Sequence, residues 1–148
     1  MSDVDWSSLP PAQPAPDIDS APFWEATARG ELAMCRCQEC GHWHQPPLER
    51  CRRCAGPTAF ERVSGNGTVS TYIVQRQAAV VGYVDRVPYV VALVDLDEQP
   101  GLRLPGRMAD VEPEDVSIGM RVQARIVDLP GGTFRIAEWV PVPSTVAT

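Results

Sequence analysis

Two closely spaced cysteine pairs carry the clearest chemical signal in the sequence. Cys37 and Cys40 are separated by two residues, as are Cys51 and Cys54, and residues 41–50 lie between the pairs. Two intervening residues allow a tight turn to present both sulfurs to one ion, and Gly41 relieves the steric demand of the first turn. Zinc prefers four such ligands at tetrahedral corners, with Zn–S distances of about 2.3 Å. The spacing therefore predicts one zinc ion bound by these four cysteines.

Three other chemistries are possible for the same cysteines. Disulfides are disfavoured in a reducing compartment, where close pairs more often bind metal. A redox-active pair needs a thioredoxin-like βαβ context, which this sequence lacks. Iron is chemically compatible with a four-sulfur site. Four thiolates leave no open position for water or substrate, so the ion is expected to be structural rather than catalytic.

Three further candidate ligands lie beside the pairs. Cys35 precedes Cys37 by two residues, and on a strand both side chains would point to the same side. Cys35 therefore either competes for the metal or is a small buried apolar residue, which is the interpretation we favour. His42 and His44 are alternatives to a cysteine ligand. Because four cysteines already satisfy the ion, we expect the two histidines to be knuckle and surface residues.

Outside the cysteine block, the side chains that most often catalyse reactions are scarce. All 13 basic residues are arginine, which excludes a Schiff base on a lysine of this chain. Both histidines lie between the cysteine pairs, so no histidine remains elsewhere as a general base. The net charge of −6 opposes nonspecific binding to nucleic acid. Without a long apolar run or a secretory pattern, we expect a cytoplasmic protein that does not enter a membrane.

The N-terminal part divides into a leader and a helix. Four prolines within residues 1–21 predict an extended leader, poorly ordered unless a surface holds it. Residues 22–34 are expected to form a short docking helix, with Gly30 at its end. Helical spacing places Phe23 on the apolar face, with Trp24 beside it. These aromatics either pack on their own domain or dock the helix onto another subunit, because so short a helix needs a surface to lie on.

The remainder predicts a zinc ribbon over residues 35–58, a barrel over 59–143 and a tail over 144–148. Short β-type runs separated by turns indicate the strands of the barrel, and the first run is rich in β-branched side chains. These runs are residues 67–74, 89–96, 102–108, 121–127 and 133–140. Five strands without a long helix between them are typical of an OB-fold. The predicted fold class is mainly β, with an N-terminal helical segment, a four-cysteine zinc ribbon and a five-stranded OB-fold barrel.

Several motifs occur in a fixed order along the chain. They are Phe23-Trp24-Glu25, the two cysteine pairs, Pro46-Pro47, Gly65-x-Gly67-x-Val69, the run 88–98 with its acidic end, and Ile118-Gly119-Met120-x-Val122. Together they resemble the DUF35 family over about residues 22–142. The chain departs from the family pattern at Leu48 and Gln99 and in its longer leader. The resemblance implies a helical segment, a rubredoxin-like zinc ribbon and a C-terminal OB-fold.

Proteins of the DUF35 family are commonly non-catalytic partners of acyl-CoA enzymes, so the resemblance implies an accessory subunit. The favoured partner is a thiolase-fold, lipid-transfer-protein-like enzyme that acts as a retro-aldolase in steroid side-chain degradation, in a hetero-oligomer such as a heterotetramer. The alternatives are an acyl-CoA hydratase, another thiolase or an acyltransferase as partner. A single-stranded nucleic-acid binder and an independent enzyme are the remaining alternatives.

This interpretation assigns no catalytic residue to the chain itself. Phe23 and Trp24 are the candidate partner-binding residues. An arginine set is the candidate for the phosphates of coenzyme A, because a guanidinium binds phosphate in a bidentate manner. The set consists of Arg36, Arg52, Arg53 and Arg76. The alternative for these arginines is an ordinary solvated surface.

Overall fold

A three-stranded and a five-stranded antiparallel sheet follow one another along the chain. The computed structural model describes residues 5–143, so residues 1–4 and the expected tail, 144–148, lie outside the described residues. The helices are α1 (Ala21–Ala28) and three short 3₁₀ helices, Trp6–Ser8, Val84–Arg86 and Pro113–Asp115. Among residues 5–143, no helix is long and apolar enough to cross a membrane. The mainly β fold class is confirmed.

The first sheet forms around the cysteine pairs. Its strands are β1 (Ala33–Cys37), β2 (Trp43–His44) and β3 (Thr58–Arg62), in the order β2-β1-β3. Cys35 lies at the centre, opposite His44 on one side and Phe60 on the other. The sheet therefore begins before residue 35 and ends after residue 58, beyond both expected bounds of the ribbon.

Helix α1 packs on this sheet and on the last strand of the chain. It is shorter than the expected segment 22–34, because Gly30 ends it at a φ of 80°. The N–H of Gly30 donates to Thr27 O at 2.9 Å, and the N–H of Glu31 donates to Ala26 O at 3.0 Å. Ala26 and Thr27 are buried, so a single face of the helix holds it in place.

The second sheet is the barrel. Its strands are β4 (Asn66–Gln75), β5 (Tyr89–Leu96), β6 (Arg103–Arg107), β7 (Arg121–Asp128) and β8 (Arg135–Pro141), in the order β6-β5-β4-β7-β8. A parallel bridge between Met108 and Trp139 joins the end of β6 to β8 and closes the sheet. Four antiparallel strand pairs, closed by one parallel bridge, form a five-stranded Greek-key barrel of the OB type.

The core fills the barrel and continues under the ribbon. Along β5 the side chains of Val90, Ala92, Val94 and Leu96 are buried, whereas those between them are half-buried on the outer face. The apolar outer residues explain why the sequence of β5 reads as a continuous apolar run. Leu32, Met34 and Trp43 of the ribbon segment belong to the same buried cluster as Val69, Leu102, Val122 and Trp139 of the barrel. The ribbon and the barrel therefore share one hydrophobic core.

A buried carboxylate supports the closure of the barrel. Glu138 on β8 is 3% exposed. Arg107 of β6 donates to Glu138 Oε2 at 3.0 Å, and Arg125 of β7 donates to Oε1 at 2.6 and 2.9 Å. Arg125 also donates to Asp110 Oδ2 at 2.7 Å. A buried charge needs such partners, so this network ties three strands together where only one bridge joins β6 to β8.

The leader lies against two loops of the barrel. Pro11 is buried beside Gly82, where a Cβ atom would collide with the proline. Gln13 donates from Nε2 to Pro130 O at 2.9 Å, and a Cβ at Gly132 would collide with the glutamine side chain. The loop after β4 and the hairpin between β7 and β8 are thus the surface that holds this proline-rich segment.

One side chain pairs with the backbone across the junction of ribbon and barrel. Gln99, in the loop after β5, accepts from the N–H of Trp43 at 2.9 Å and donates to Trp43 O at 3.1 Å. In the same loop Glu98 accepts from the N–H of Ser64 at 2.6 Å. Because the amide of Gln99 offers both a carbonyl acceptor and an NH₂ donor group, it satisfies strand β2 as a neighbouring strand would. This pairing helps to set the orientation of the ribbon on the barrel.

We expect the substitution Gln99→Met to weaken this junction. Methionine matches glutamine in length but leaves both backbone groups of Trp43 without their partner, at a cost of about 1–3 kcal/mol in the free energy of unfolding. Urea denaturation measures that loss, and hydrogen exchange is expected to accelerate at the Trp43 amide. Gln77→Met, at an exposed position, is the matched control. Equal stability of the two variants would contradict the role of Gln99.

Candidate metal centre

The four cysteines of the two pairs meet at one point. Their sulfur atoms all lie within 4.8 Å of one another. The end of strand β1 and the turn after it place Cys37 and Cys40, and the turn before β3 places Cys51 and Cys54. Sγ of Cys37 is 3.5 Å from that of Cys54, and Sγ of Cys40 is 3.5 Å from that of Cys51. The two turns therefore face each other across a space that suits a tetrahedral ion.

Both turns repeat the same backbone hydrogen bonds. The Cys37 N–H donates to His42 O and the Cys51 N–H donates to Gly56 O, both at 2.8 Å. Each turn also needs one residue with positive φ, which is Gly41 at 75° in the first and Ala55 at 61° in the second. The expectation for Gly41 is confirmed, whereas an alanine in the left-handed region carries no sequence signal.

Backbone N–H groups point at the sulfur atoms. Cys37 Sγ accepts from the N–H groups of Glu39 and Cys40, both at 3.4 Å. Cys51 Sγ accepts from the N–H of Arg53 at 3.3 Å, and Cys54 Sγ accepts from that of Gly56 at 3.4 Å. Such donors stabilise sulfur in its thiolate form, which is the form that binds metal.

The pKa values of the Cys37 and Cys54 thiols are shifted in opposite directions. The N–H of Cys40 is the largest cause that lowers the pKa of the Cys37 thiol to about 6. The N–H of Gly56 also favours a thiolate at Cys54, but the neighbouring sulfurs and burial outweigh it and raise the pKa of Cys54 to about 12. Four sulfurs at this separation ionise together only when a cation balances them.

The donor set fits zinc. Four thiolates at tetrahedral corners match the preference of this ion, and iron is the chemical alternative for the same set. Because sulfur fills all four corners, a metal bound here has no position for water or substrate. The centre is therefore suited to hold the ribbon together and not to catalysis.

The group of four sulfurs includes none of the three further candidate ligands. Cys35 is buried and its Sγ lies 3.5 Å from Leu48 O, as expected for a small core residue. His42 Nδ1 lies 3.4 Å from a guanidinium nitrogen of Arg53. His44 differs from the expectation of a surface residue, because it is 4% exposed and its Nε2 lies 3.4 Å from Cys51 Sγ. Burial, followed by the charges of His42 and Arg52, lowers the pKa of His44.

The aromatic pair of helix α1 contacts its own chain. Phe23 packs against the hydrophobic core. Trp24 meets Phe134 of the barrel edge to face, with ring centroids 5.6 Å apart, and meets Phe23 at 5.1 Å. Packing on their own domain is thus observed, and both rings remain partly accessible. Their role in binding a partner stays a prediction.

The candidate arginines do not form one cluster. Arg36 donates from Nε to Gly41 O at 3.0 Å, and its guanidinium carbon lies 4.8 Å from the centroid of the Trp43 ring. Arg52 and Arg53 are exposed on the second cysteine turn. Arg76 follows β4 at the end away from the ribbon, 3.9 Å from Glu114. The structure therefore places Arg52 and Arg53 together and sets Arg76 apart.

The fold and the metal centre define a class of proteins in which a four-cysteine zinc ribbon is joined to an OB-fold. Residues 24–61 match the family model described as "ChsH2, rubredoxin-like zinc ribbon domain", and residues 60–133 match "ChsH2, C-terminal OB-fold domain". The chain belongs to this DUF35 family.

Relatives include a DUF35 domain-containing scaffold protein of Methanocaldococcus jannaschii, 42% identical over 91 residues, which are 60% of this chain and 62% of that protein. The 3-oxo-4,17-pregnadiene-20-carboxyl-CoA hydratase alpha subunit of Mycobacterium tuberculosis is 32% identical over 129 residues, 87% of this chain and 40% of that protein. A probable enoyl-CoA hydratase alpha subunit of Thermomonospora curvata is 35% identical over 74% of this chain and 34% of that protein. The chain thus spans less than two thirds of each of these relatives.

A solved structure described as "Ltp2-ChsH2(DUF35) aldolase" overlays with a TM-score of 0.79 at 29% identity. The overlay covers 87% of this chain and 98% of that chain. A DUF35 protein of unknown function from Sulfolobus solfataricus overlays with a TM-score of 0.54 at 14% identity, which supports the fold alone.

We expect Cys51→Ser and Cys35→Ser to distinguish a zinc ligand from a buried cysteine that does not bind the metal. Wild-type protein is expected to bind one zinc per chain, because the four sulfurs surround one point. Cys51→Ser should lose tight zinc binding, whereas Cys35→Ser should keep it. Elemental analysis after gel filtration measures the stoichiometry. Full zinc retention by Cys51→Ser, or loss in Cys35→Ser, would contradict the assignment.

Proposed function

We propose that this chain is a non-catalytic accessory subunit that assembles with an enzyme acting on acyl-CoA thioesters. The observation that carries the proposal is the overlay with 98% of a chain in the solved structure described as an Ltp2-ChsH2(DUF35) aldolase. The chemistry of this chain agrees, because its metal centre is closed by four sulfurs and its basic residues include no lysine. The reaction would then take place in the partner.

The partner we favour is a thiolase-fold, lipid-transfer-protein-like enzyme in a hetero-oligomer such as a heterotetramer. Its reaction would be the retro-aldol cleavage of a steroid side-chain CoA ester. Two relatives support this direction, because a solved one is described as an Ltp2-ChsH2(DUF35) aldolase and another as the alpha subunit of a pregnadiene-carboxyl-CoA hydratase. The first description supports carbon–carbon cleavage as the reaction, and the second supports a steroid-derived CoA thioester as the substrate.

An acyl-CoA hydratase is the second candidate partner. Two relatives are described as hydratase alpha subunits, at 32% and 35% identity. Both contain sequence beyond the part that matches this chain. The same purified chain, offered separately to a hydratase and to a thiolase-fold aldolase, distinguishes the two candidates.

Binding of single-stranded nucleic acid has little support in the barrel. Stacking of bases needs exposed aromatic rings along a basic groove. Of the four aromatic residues on or directly beside the strands of the barrel, Trp139 is fully buried and Tyr72 packs on the core. Phe134 faces helix α1, and Tyr89 faces another tyrosine with ring centroids 5.4 Å apart. With a net charge of −6, this arrangement does not favour a base-stacking platform.

Helix α1 is the proposed docking element. Two apolar clefts flank Trp24, with volumes of about 350 and 200 Å³. Ala28 and Phe134 line the first, and Phe23 and Phe60 line the second. A half-buried tryptophan between two apolar clefts is the kind of residue that often anchors a protein interface. A partner side chain inserted on either side would complete its burial.

The exposed turn of the second cysteine pair is the proposed contact for CoA phosphates. Arg52 and Arg53 are adjacent and exposed, and Arg52 lines a polar cleft of about 230 Å³ together with His44 and Gln99. Arg36 is already bonded within the ribbon, which leaves its guanidinium less free. Arg76 lies apart from this cleft, so it serves as an internal comparison.

Co-expression tests the accessory role. The thiolase-fold homologue of the native host is expected to be insoluble or inactive alone and active when purified with this chain. Ala28→Arg places a charge in the cleft beside Trp24 and is expected to weaken the complex about tenfold or more, with Ala78→Arg in an exposed loop as control. A fully active lone partner would overturn the accessory role, whereas an intact Ala28→Arg complex would overturn only the docking site.

Kinetics of the complex test the arginines. Arg52→Gln and Arg53→Gln each remove a charge-assisted hydrogen-bond donor, so KM for the acyl-CoA is expected to rise about tenfold with kcat retained. Arg76→Gln should leave KM unchanged, because its side chain lies at the far end of β4. An unchanged KM in the double variant Arg52→Gln/Arg53→Gln would exclude this turn as a phosphate contact.

A further inference from the structure

The two buried sulfurs of the metal centre differ in where their hydrogen bonds come from. Cys37 is 1% exposed and Cys51 is 4% exposed, so water has little access to either side chain. Cys37 Sγ accepts two backbone N–H groups from its own turn, those of Glu39 and Cys40. In the part of the chain that the structure describes, Cys51 Sγ accepts only one from its own turn, that of Arg53.

His44 occupies the place of the second donor on Cys51. Its Nε2 lies 3.4 Å from Cys51 Sγ, the same length as the N–H contacts to Cys37. Pairing with Cys35 on strand β1 fixes the backbone of His44, and the ring of His42 packs edge to face against its imidazole, with ring centroids 4.9 Å apart. A buried ring in a paired strand keeps one orientation, as a hydrogen bond to a fixed sulfur requires.

The chemistry of the sulfur decides which atom carries the proton. A cysteine bound to metal is a thiolate and has no proton to donate. Two acceptors facing each other at hydrogen-bond distance would repel, so the proton of this contact must be on Nε2 of His44. The imidazole is then a donor to the ligand and not a ligand itself.

We propose that His44 is a positioning residue of the metal centre, which donates a hydrogen bond from Nε2 to the Cys51 thiolate and thereby retains the metal. Four thiolates around a divalent ion carry an excess of two negative charges, and each hydrogen bond disperses part of that excess. At the exposed sulfurs of Cys40 and Cys54 water can contribute. At the buried sulfur of Cys51 the protein must supply the second donor, and His44 supplies it.

A matched pair of variants separates hydrogen bonding from packing. His44→Gln keeps an N–H donor at about the same reach, whereas His44→Met has a similar length and no donor. Competition of the full-length protein with a chromophoric chelator should show zinc affinity lowered about 10–100-fold in His44→Met and close to wild type in His44→Gln.

Cobalt substitution provides a spectroscopic signal that a change in packing alone would leave unchanged. Losing a hydrogen bond raises the energy of the sulfur lone pairs, so the sulfur-to-cobalt charge-transfer band of His44→Met should shift to longer wavelength. The ligand-field bands should keep their tetrahedral pattern in every variant. Equal affinities in His44→Met, His44→Gln and wild type would overturn the proposal. Equal losses in both His44 variants with an unshifted charge-transfer band would overturn it in favour of a packing role.

Nuclear magnetic resonance of the wild-type protein decides the question if His44→Met does not fold. With ¹¹³Cd in place of zinc, the proton on His44 Nε2 should show a scalar coupling to the metal through the sulfur of Cys51. A nitrogen spectrum that places the proton of His44 on Nδ1 alone would overturn the proposal.

Discussion

Four sulfur atoms held around one point are the constraint on which the ribbon depends. Its strand β2 has only two residues, and its turns between strands are held mainly by hydrogen bonds that end at or beside the cysteines. So small a sheet has no separate hydrophobic core of its own, and a bound ion adds to the stability that the sheet gains from the core shared with the barrel. The same four sulfurs close the coordination sphere of that ion. The same four sulfurs thus account both for the structural role of the centre and for the lack of a coordination position open to substrate.

The ribbon in turn is fixed on the barrel by contacts at strand β2. Trp43 enters the common core, while the Gln99 amide pairs with its backbone and Arg36 covers its ring. The neighbouring residue of the same strand, His44, reaches the sulfur of Cys51. One two-residue strand therefore joins the metal centre to the OB-fold. A rigid ribbon presented in this way is a suitable surface for assembly with another protein.

Local patterns were sufficient for the elements and for the cysteines. Strands β4, β5, β7 and β8 follow runs that contain β-branched residues, and Gly30 ends the helix as its type suggests. The contacts that escaped sequence reasoning join residues far apart in the chain. Gln99 and Trp43 are 56 positions apart, and Gln13 and Pro130 are 117 apart. No local sequence pattern indicates such pairings, because they depend on how the folded strands, loops and leader pack against one another.

Hydrogen exchange with and without metal tests the central claim most directly, which is that the ion holds the ribbon while the barrel holds itself. Exchange is compared by mass spectrometry between the zinc-loaded protein and protein from which a chelator has removed the metal. Protection is expected to disappear across residues 33–62 and to persist across strands β4 to β8. A ribbon that keeps its protection after complete removal of the metal would contradict the account.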